Sequence, residues 1–267
     1  MADREAFLTN KIFLNAALPL LKVIAADVPS INKMFKNVHC VYQVSCLAPE
    51  APGGKYAIHF VVNGDEWKIH PKIEPRPMVE LEFKSVEALT AFFKGKIAPA
   101  TLPKMKGVTK HPAAFAAFMA ALLKMANLLG LTEPPEDEDT KRLLVKCYFY
   151  LLSAGISQLN KNGHEEVHDW ALKSPDRVYA FAVQNEPTVS AFIRVKAGKS
   201  RSGKGEYKRA MPFFTLKFRD LDAALGTLMS IDDMLEATKE GKIIMEGAPE
   251  FGAQIGGYML LVGSLAK

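Results

Sequence analysis

The sequence predicts an α+β fold built as two similar domains, each a mixed, mostly antiparallel sheet covered by helices. Three observations predict it. At mid-chain, Glu133-Pro134-Pro135-Glu136-Asp137-Glu138-Asp139 is acidic, proline-containing and free of apolar side chains, as an exposed connector should be. It leaves residues 1–132 and 140–267 as near-equal halves of ordinary domain size. Finally, residues 77–88 align without a gap on residues 212–223, placing Val79, Leu81 and Phe83 on Phe214, Leu216 and Phe218.

The elements follow in matching order. Each half opens on an apolar helix, residues 6–26 with a kink expected at Pro19, and residues 140–160. Strands come next. In the first half these are 38–48 and 55–62, rich in Val, Tyr, Ile and Phe, and the turn Asn63-Gly64 leads into 67–70. In the second half, strands at 177–183 and 189–195 flank the polar turn 184–187. Alternation in the aligned segment puts Val79, Leu81 and Phe83 on one buried face, with the charges of Glu80 and Glu82 on the other. Ser85 and Asp220 then stand where a helix needs a side-chain oxygen for its first unpaired amides. A second echo pairs Lys104-Met105-Lys106-Gly107 with Ile244-Met245-Glu246-Gly247, and long apolar helices follow at 112–129 and 249–265. In the first of these, Phe115, Phe118, Met119, Leu122 and Leu129 recur at helical spacing, which favours a helix with one apolar face over a membrane span.

Composition narrows the function classes. At 49% hydrophobic and 24% charged, the chain has material for two cores and is not disordered. Cys40, Cys46 and Cys147 form no CxxC pair, which argues against a disulfide framework and fits a reducing, cytoplasmic setting. Acids in Met1-Ala2-Asp3-Arg4-Glu5 stand where a secretion signal needs a basic start. A net charge of +5 does not announce nucleic acid. Its clustering says more: between Lys196 and Arg209, six basic residues face the single acid Glu206 among Gly and Ser. This stretch reads as a mobile hairpin tip able to touch anionic membrane headgroups.

The order of helix, antiparallel strands, strand-cap-helix, a short strand ending in glycine and an apolar C-terminal helix resembles the sterol carrier protein type 2 fold. The second half carries the fuller match, through Leu216-Lys217-Phe218-Arg219-Asp220 and Gly241-Lys242-Ile243-Ile244-Met245-Glu246-Gly247. In the first half the equivalent strand is degraded to Leu102-Pro103-Lys104-Met105-Lys106-Gly107. The resemblance implies a non-enzymatic carrier holding a fatty acyl, sterol-like or isoprenoid ligand in a hydrophobic tunnel, with no cofactor. The tunnel walls are then expected from Phe83, Phe92, Phe93, Phe115, Phe118, Met119 and Leu122 in one half. In the other they come from Phe218, Leu225, Leu228, Met229, Met234, Tyr258 and Met259. The same residues would equally serve as plain core, leaving an accessory module with filled cavities as the alternative.

One motif points elsewhere. His164-Glu165-Glu166-Val167-His168 satisfies HExxH, in which two histidines one helical turn apart bind zinc and the glutamate activates a bound water. It follows Asn160-Lys161-Asn162-Gly163, a helix stop, and no histidine lies downstream to complete a ligand set, so a zinc hydrolase is the least favoured expectation. The sequence contains no GxSxG, Walker A or GxGxxG segment, and the isolated thiols read as buried residues.

Overall fold

The computed structural model describes residues 4–248 and 250–266. The chain divides into two compact units, the first running to Asn127 and including the residues from Leu265, and the second from Leu128 to Ser264. Each holds one five-stranded mixed sheet with helices.

In the first unit α1 (Arg4–Ile12) passes into a π-helical turn at Phe13–Ala17 and a 3-10 turn at Leu18–Leu20 before α2 (Leu21–Asp27) and α3 (Pro29–Phe35). The kink expected at Pro19 is thus a change of winding. A proline cannot donate to the preceding turn, and the wider and tighter turns around it absorb the missing bond while the helix continues. Strands β1 (His39–Leu47), β2 (Lys55–Asn63) and β3 (Glu66–His70) form consecutive hairpins, and β4 (Val79–Phe83) returns parallel to β1. Then come α4 (Val86–Phe93), the short edge strand β5 (Lys104–Lys106) and α5 (Pro112–Leu129). The sheet order is β3-β2-β1-β4-β5.

The second unit opens on α6 (Glu138–Lys161), whose N-cap Asp137 accepts from the Thr140 amide at 2.8 Å. The acidic segment 133–139 is therefore not a connector over its whole length. Its last two acids form the first turn of α6, where they face the positive end of the helix dipole. After α7 (Glu165–Lys173) come β6 (Arg177–Val183), β7 (Ala191–Lys196), β8 (Lys199–Lys204), β9 (Phe214–Phe218), α8 (Leu221–Leu228), α9 (Met234–Lys239), β10 (Ile243–Gly247) and α10 (Glu250–Ala266). The sheet order β10-β9-β6-β7-β8 repeats the first sheet strand for strand, including one parallel pair at β6–β9.

Two expectations are corrected here. Residues 187–189 form a 3-10 turn, and the strand expected from 189 begins at Ala191. The basic stretch 196–209 is not a hairpin tip throughout. Lys199–Lys204 is the edge strand β8, and the turn is Ala197-Gly198 alone, both at positive φ. Glycine and serine disguise this strand in the sequence, but the Phe192 ring lies over Gly203, where a side chain would stand, and supports the pairing.

Register confirms the aligned junctions. Ser85 and Asp220 cap α4 and α8, accepting from Ala88 at 3.1 Å and Ala223 at 2.7 Å. Met105 pairs with Leu81, and Met245 with Leu216. Gly107 and Gly247 end their strands at φ 80° and 103°, against the carbonyls of Met78 and Phe213, where a Cβ would collide. Among the described residues two helical stretches, 4–27 and 112–129, are long and apolar enough to cross a membrane by length and composition, and the first is largely buried in the protein.

Candidate functional site

On the inner face of the second sheet, β6 presents Tyr179, Phe181 and Val183, all buried. The Tyr179 ring centre lies 5.2 Å from that of Trp170 on α7, 5.9 Å from Phe213 ahead of β9 and 6.1 Å from Phe251 on α10. Tyr258, one of the predicted wall residues, adds its ring 5.2 Å from Trp170. The Arg177 guanidinium covers the rim, 4.0 Å above Phe213 and 5.0 Å above Phe251. Within this shell the Trp170 Nε1 and the Tyr179 hydroxyl are buried and have no hydrogen-bond partner. The Tyr258 hydroxyl accepts from Gln254 Nε2 at 3.3 Å, and its own ionisation is pushed up to about 12, first by burial and then by the charge of Glu166.

The helix over this shell carries glycine notches. The Met245 sulfur lies 2.6 Å from where a Cβ on Gly252 would stand, and the Met234 sulfur 3.2 Å from the same point on Gly256. Unbranched, adaptable side chains therefore occupy the space between α10 and its neighbours.

In the first unit the predicted wall residues fall into two groups. Phe83, Phe92 and Phe93 cluster with Phe13 of the π-helical turn, at centroid distances of 5.3–6.1 Å. Phe118 instead stacks on Tyr42 at 4.5 Å and lies beside Phe60. Leu122 is buried, whereas Phe115 and Met119 are part-exposed. Of the second-unit set, Phe218 packs on Phe149 and Leu225 and Met259 are buried, while Leu228, Met229 and Met234 are part-exposed. A cleft of 260 Å³ opens in the first unit between α1 and α4, lined by Glu5, Thr9, Glu87, Thr90, Lys94 and Lys96 with two alanines. Its lining residues are mostly charged or hydroxyl-bearing, and none of the predicted wall residues borders it.

The outer face of the first sheet holds a buried charge network. Glu80, 3% exposed, accepts from Gln43 and Ser45 at 2.7 Å, from Lys55 at 2.8 Å and from Lys106 at 2.9 Å. Both lysines also reach Glu82. Burial alone would raise the Glu80 carboxyl, but these donors hold it down at about 2. Gln43 in turn accepts the Glu74 amide, and His59 Nδ1 lies 2.9 Å from the Lys72 carbonyl. Every group is matched, so the network reads as scaffolding.

The HExxH histidines stand at the start of α7, in different surroundings. His164 is the extended N-cap of α7, and its Nδ1 is buried without a partner. His168 Nδ1 lies 2.9 Å from Asn160 Oδ1, while Asn160 Nδ2 donates to Ser200 and to the Gly198 carbonyl. That arrangement fixes the turn between α6 and α7. Among the described residues no group of three or more His, Cys, Asp or Glu is placed to hold a metal ion. Burial pushes the Cys40 and Cys46 thiols up to about 11, so neither is a nucleophile at neutral pH.

Sequence reasoning missed Trp170, Tyr179, Phe213, Phe251 and the Glu80 network. The signals were present. Extending the repeat back by one strand pairs Tyr179 with Tyr42, because they stand opposite Phe214 and Val79 in equivalent parallel ladders. The alternation of Gln43 and Ser45 within β1 marks a polar face that needed partners.

No family model and no curated protein matches the chain. Among solved structures it is similar to a conserved protein of Thermus thermophilus described as a candidate sterol carrier protein, at 19% identity and a TM-score of 0.30. That match covers 43% of this chain and 85% of the other. It is also similar to the stereoselective inverting sec-alkylsulfatase Pisa1 of Pseudomonas sp., at 12% identity and a TM-score of 0.27, over 69% of this chain and 32% of that one. At these scores neither likeness carries a functional argument.

Proposed function

We propose that the protein binds an apolar ligand without altering it chemically, and that the second unit holds this ligand between the inner face of its sheet and α10. The observation that carries the reading is the contact at the glycine notches, where Met234 and Met245 fill space that branched side chains would lock. Methionine changes rotamer at low cost, so the two side chains swing aside and an acyl or isoprenoid chain takes their place against Phe214 and Tyr258. Phe218 and Leu225, both fully buried, belong to the core beneath.

The exposed cations of the edge strand suit delivery to an anionic membrane. Lys199 and Arg201 stand opposite Lys196 and Arg194 in the β7–β8 ladder, so four cations share one face of the sheet. Asp176 neutralises part of this face through Arg194 and Lys196.

The test is native mass spectrometry of protein purified without added lipid, followed by organic extraction and by uptake of a fluorescent fatty acid. A bound apolar species, or saturable uptake near one equivalent, is expected. A clean ligand-free mass with no uptake would overturn the reading and favour an accessory module, to which the closed packing of Phe118 on Tyr42 already lends itself.

A further inference from the structure

The two halves treat the same tyrosine differently. In the first unit the Tyr42 hydroxyl donates to the main-chain carbonyl of Ala114 in the first turn of α5, at 2.9 Å. In the second, Tyr179 occupies the equivalent ladder position, is fully buried, and its hydroxyl has no partner. Beside it the Trp170 indole, 8% exposed, also leaves its N–H unpaired. An indole N–H is a donor only, and the Tyr258 hydroxyl, which accepts from Gln254, keeps its own hydrogen to give. The shell is therefore rich in donors, and burying such groups unpaired is unfavourable.

We propose that this donor cluster reads a carbonyl oxygen on the ligand, so that the second unit selects acyl compounds over hydrocarbons of the same length. The first unit shows which group fits: a carbonyl oxygen from the protein's own backbone sits on its tyrosine. The ligand supplies that oxygen in the second unit, between Tyr179 and Trp170, while its apolar chain runs toward Met234 and Met245, which lie against the glycines of α10. This inference rests on the apolar-ligand reading and adds to it the chemistry of the ligand's polar end.

The experiment compares methyl laurate with tetradecane, whose chain has the same number of atoms, on the full chain by equilibrium dialysis, for the wild type, Tyr179→Phe and Trp170→Phe. The wild type is expected to prefer the ester by about tenfold, the effect of well-placed donors in a dry site. Tyr179→Phe keeps the ring and loses most of the preference, through weaker binding of the ester. Its Tm without ligand stays level or rises, because an unpaired hydroxyl has left the core. An ester preference that survives in both variants would overturn the inference while leaving apolar binding intact. So would a lowered Tm for Tyr179→Phe with the preference unchanged, since the hydroxyl would then serve an internal water. Failure of both probes to bind the wild type would remove the apolar-ligand reading and this inference with it.

Discussion

Replacing Glu80 with glutamine keeps the side chain's shape and removes the charge that Lys55 and Lys106 share. In the folded protein, burial pushes this carboxyl up, yet the hydrogen bonds from Lys55, Ser45, Gln43 and Lys106 prevail and bring it to about 2, against 4.5 for an ordinary glutamate. That gap corresponds to about 3 kcal/mol of stability at neutral pH. The sign follows from which state takes the proton first. As pH falls, the unfolded chain protonates Glu80 near 4.5 while the folded chain holds out to about 2. The contribution is therefore complete above the upper value, shrinks between the two, and is gone below the lower. Urea unfolding can follow it through Trp67, buried in the first unit, in a Trp170→Phe background that removes the second of the two tryptophans. At pH 7 Glu80→Gln is expected to lose about 3 kcal/mol relative to its parent, and by about pH 3 less than half of that difference should remain. A difference that holds constant from neutral to acid pH would refute the reasoning, because a packing defect carries no proton linkage.

Three further outcomes follow from the repeat. Tyr42→Phe loses the bond to Ala114 and should cost about 1 kcal/mol in the same urea assay, the opposite of the level or raised stability expected for Tyr179→Phe. Asp220→Ala strips the cap from α8 and should cost about 1 kcal/mol by thermal unfolding, and Asp220→Asn should recover most of it. Gly107→Ala and Gly247→Ala each place a Cβ at positive φ against a main-chain carbonyl, so each should lower stability by well over 1 kcal/mol. Tolerance of either alanine would mean that its strand end does not run so close to its neighbour.

Much of this fold was legible in the sequence because its signals are local. The caps at Ser85 and Asp220, the Asn63-Gly64 turn and the apolar period of residues 112–129 each specify an element within a few residues. What was hidden depends on partners far along the chain. Strand β8 pairs through β7 and the Phe192 ring, so its Lys-Ser-Arg-Ser-Gly-Lys run has the composition of a loop. Helix α9 is short, and the two amides that Asp233 accepts at 2.9 and 3.0 Å start it without an apolar period to announce it. Glu80 alternates correctly with Val79 and Leu81, and alternation assigns it to water. Only the structure brings four donors to it and buries it. The candidate site divides the same way, since Tyr258 comes from the apolar pattern of the last helix, whereas Trp170 and Tyr179 meet only through tertiary packing.

One topology used twice has diverged on both faces of its sheet, and the direction of divergence is physically consistent. On the outer face, Gln43, Ser45, Glu80 and Lys106 in the first unit correspond by register to Ala180, Ala182, Thr215 and Glu246 in the second. The buried network there is reduced to the pair of Lys217 with Glu246. On the inner face, the first unit closes its tyrosine with a backbone carbonyl and a flat-stacked Phe118, while the second leaves its tyrosine and a tryptophan unpaired and sets methionines against the glycines of α10. A matched network and a closed core rigidify, because each partner is costly to remove. Unpaired donors beside adaptable side chains do the reverse, leaving stability to be gained when an acceptor arrives. Ligand binding should accordingly raise the unfolding midpoint reported by Trp170 and leave that reported by Trp67 almost unchanged.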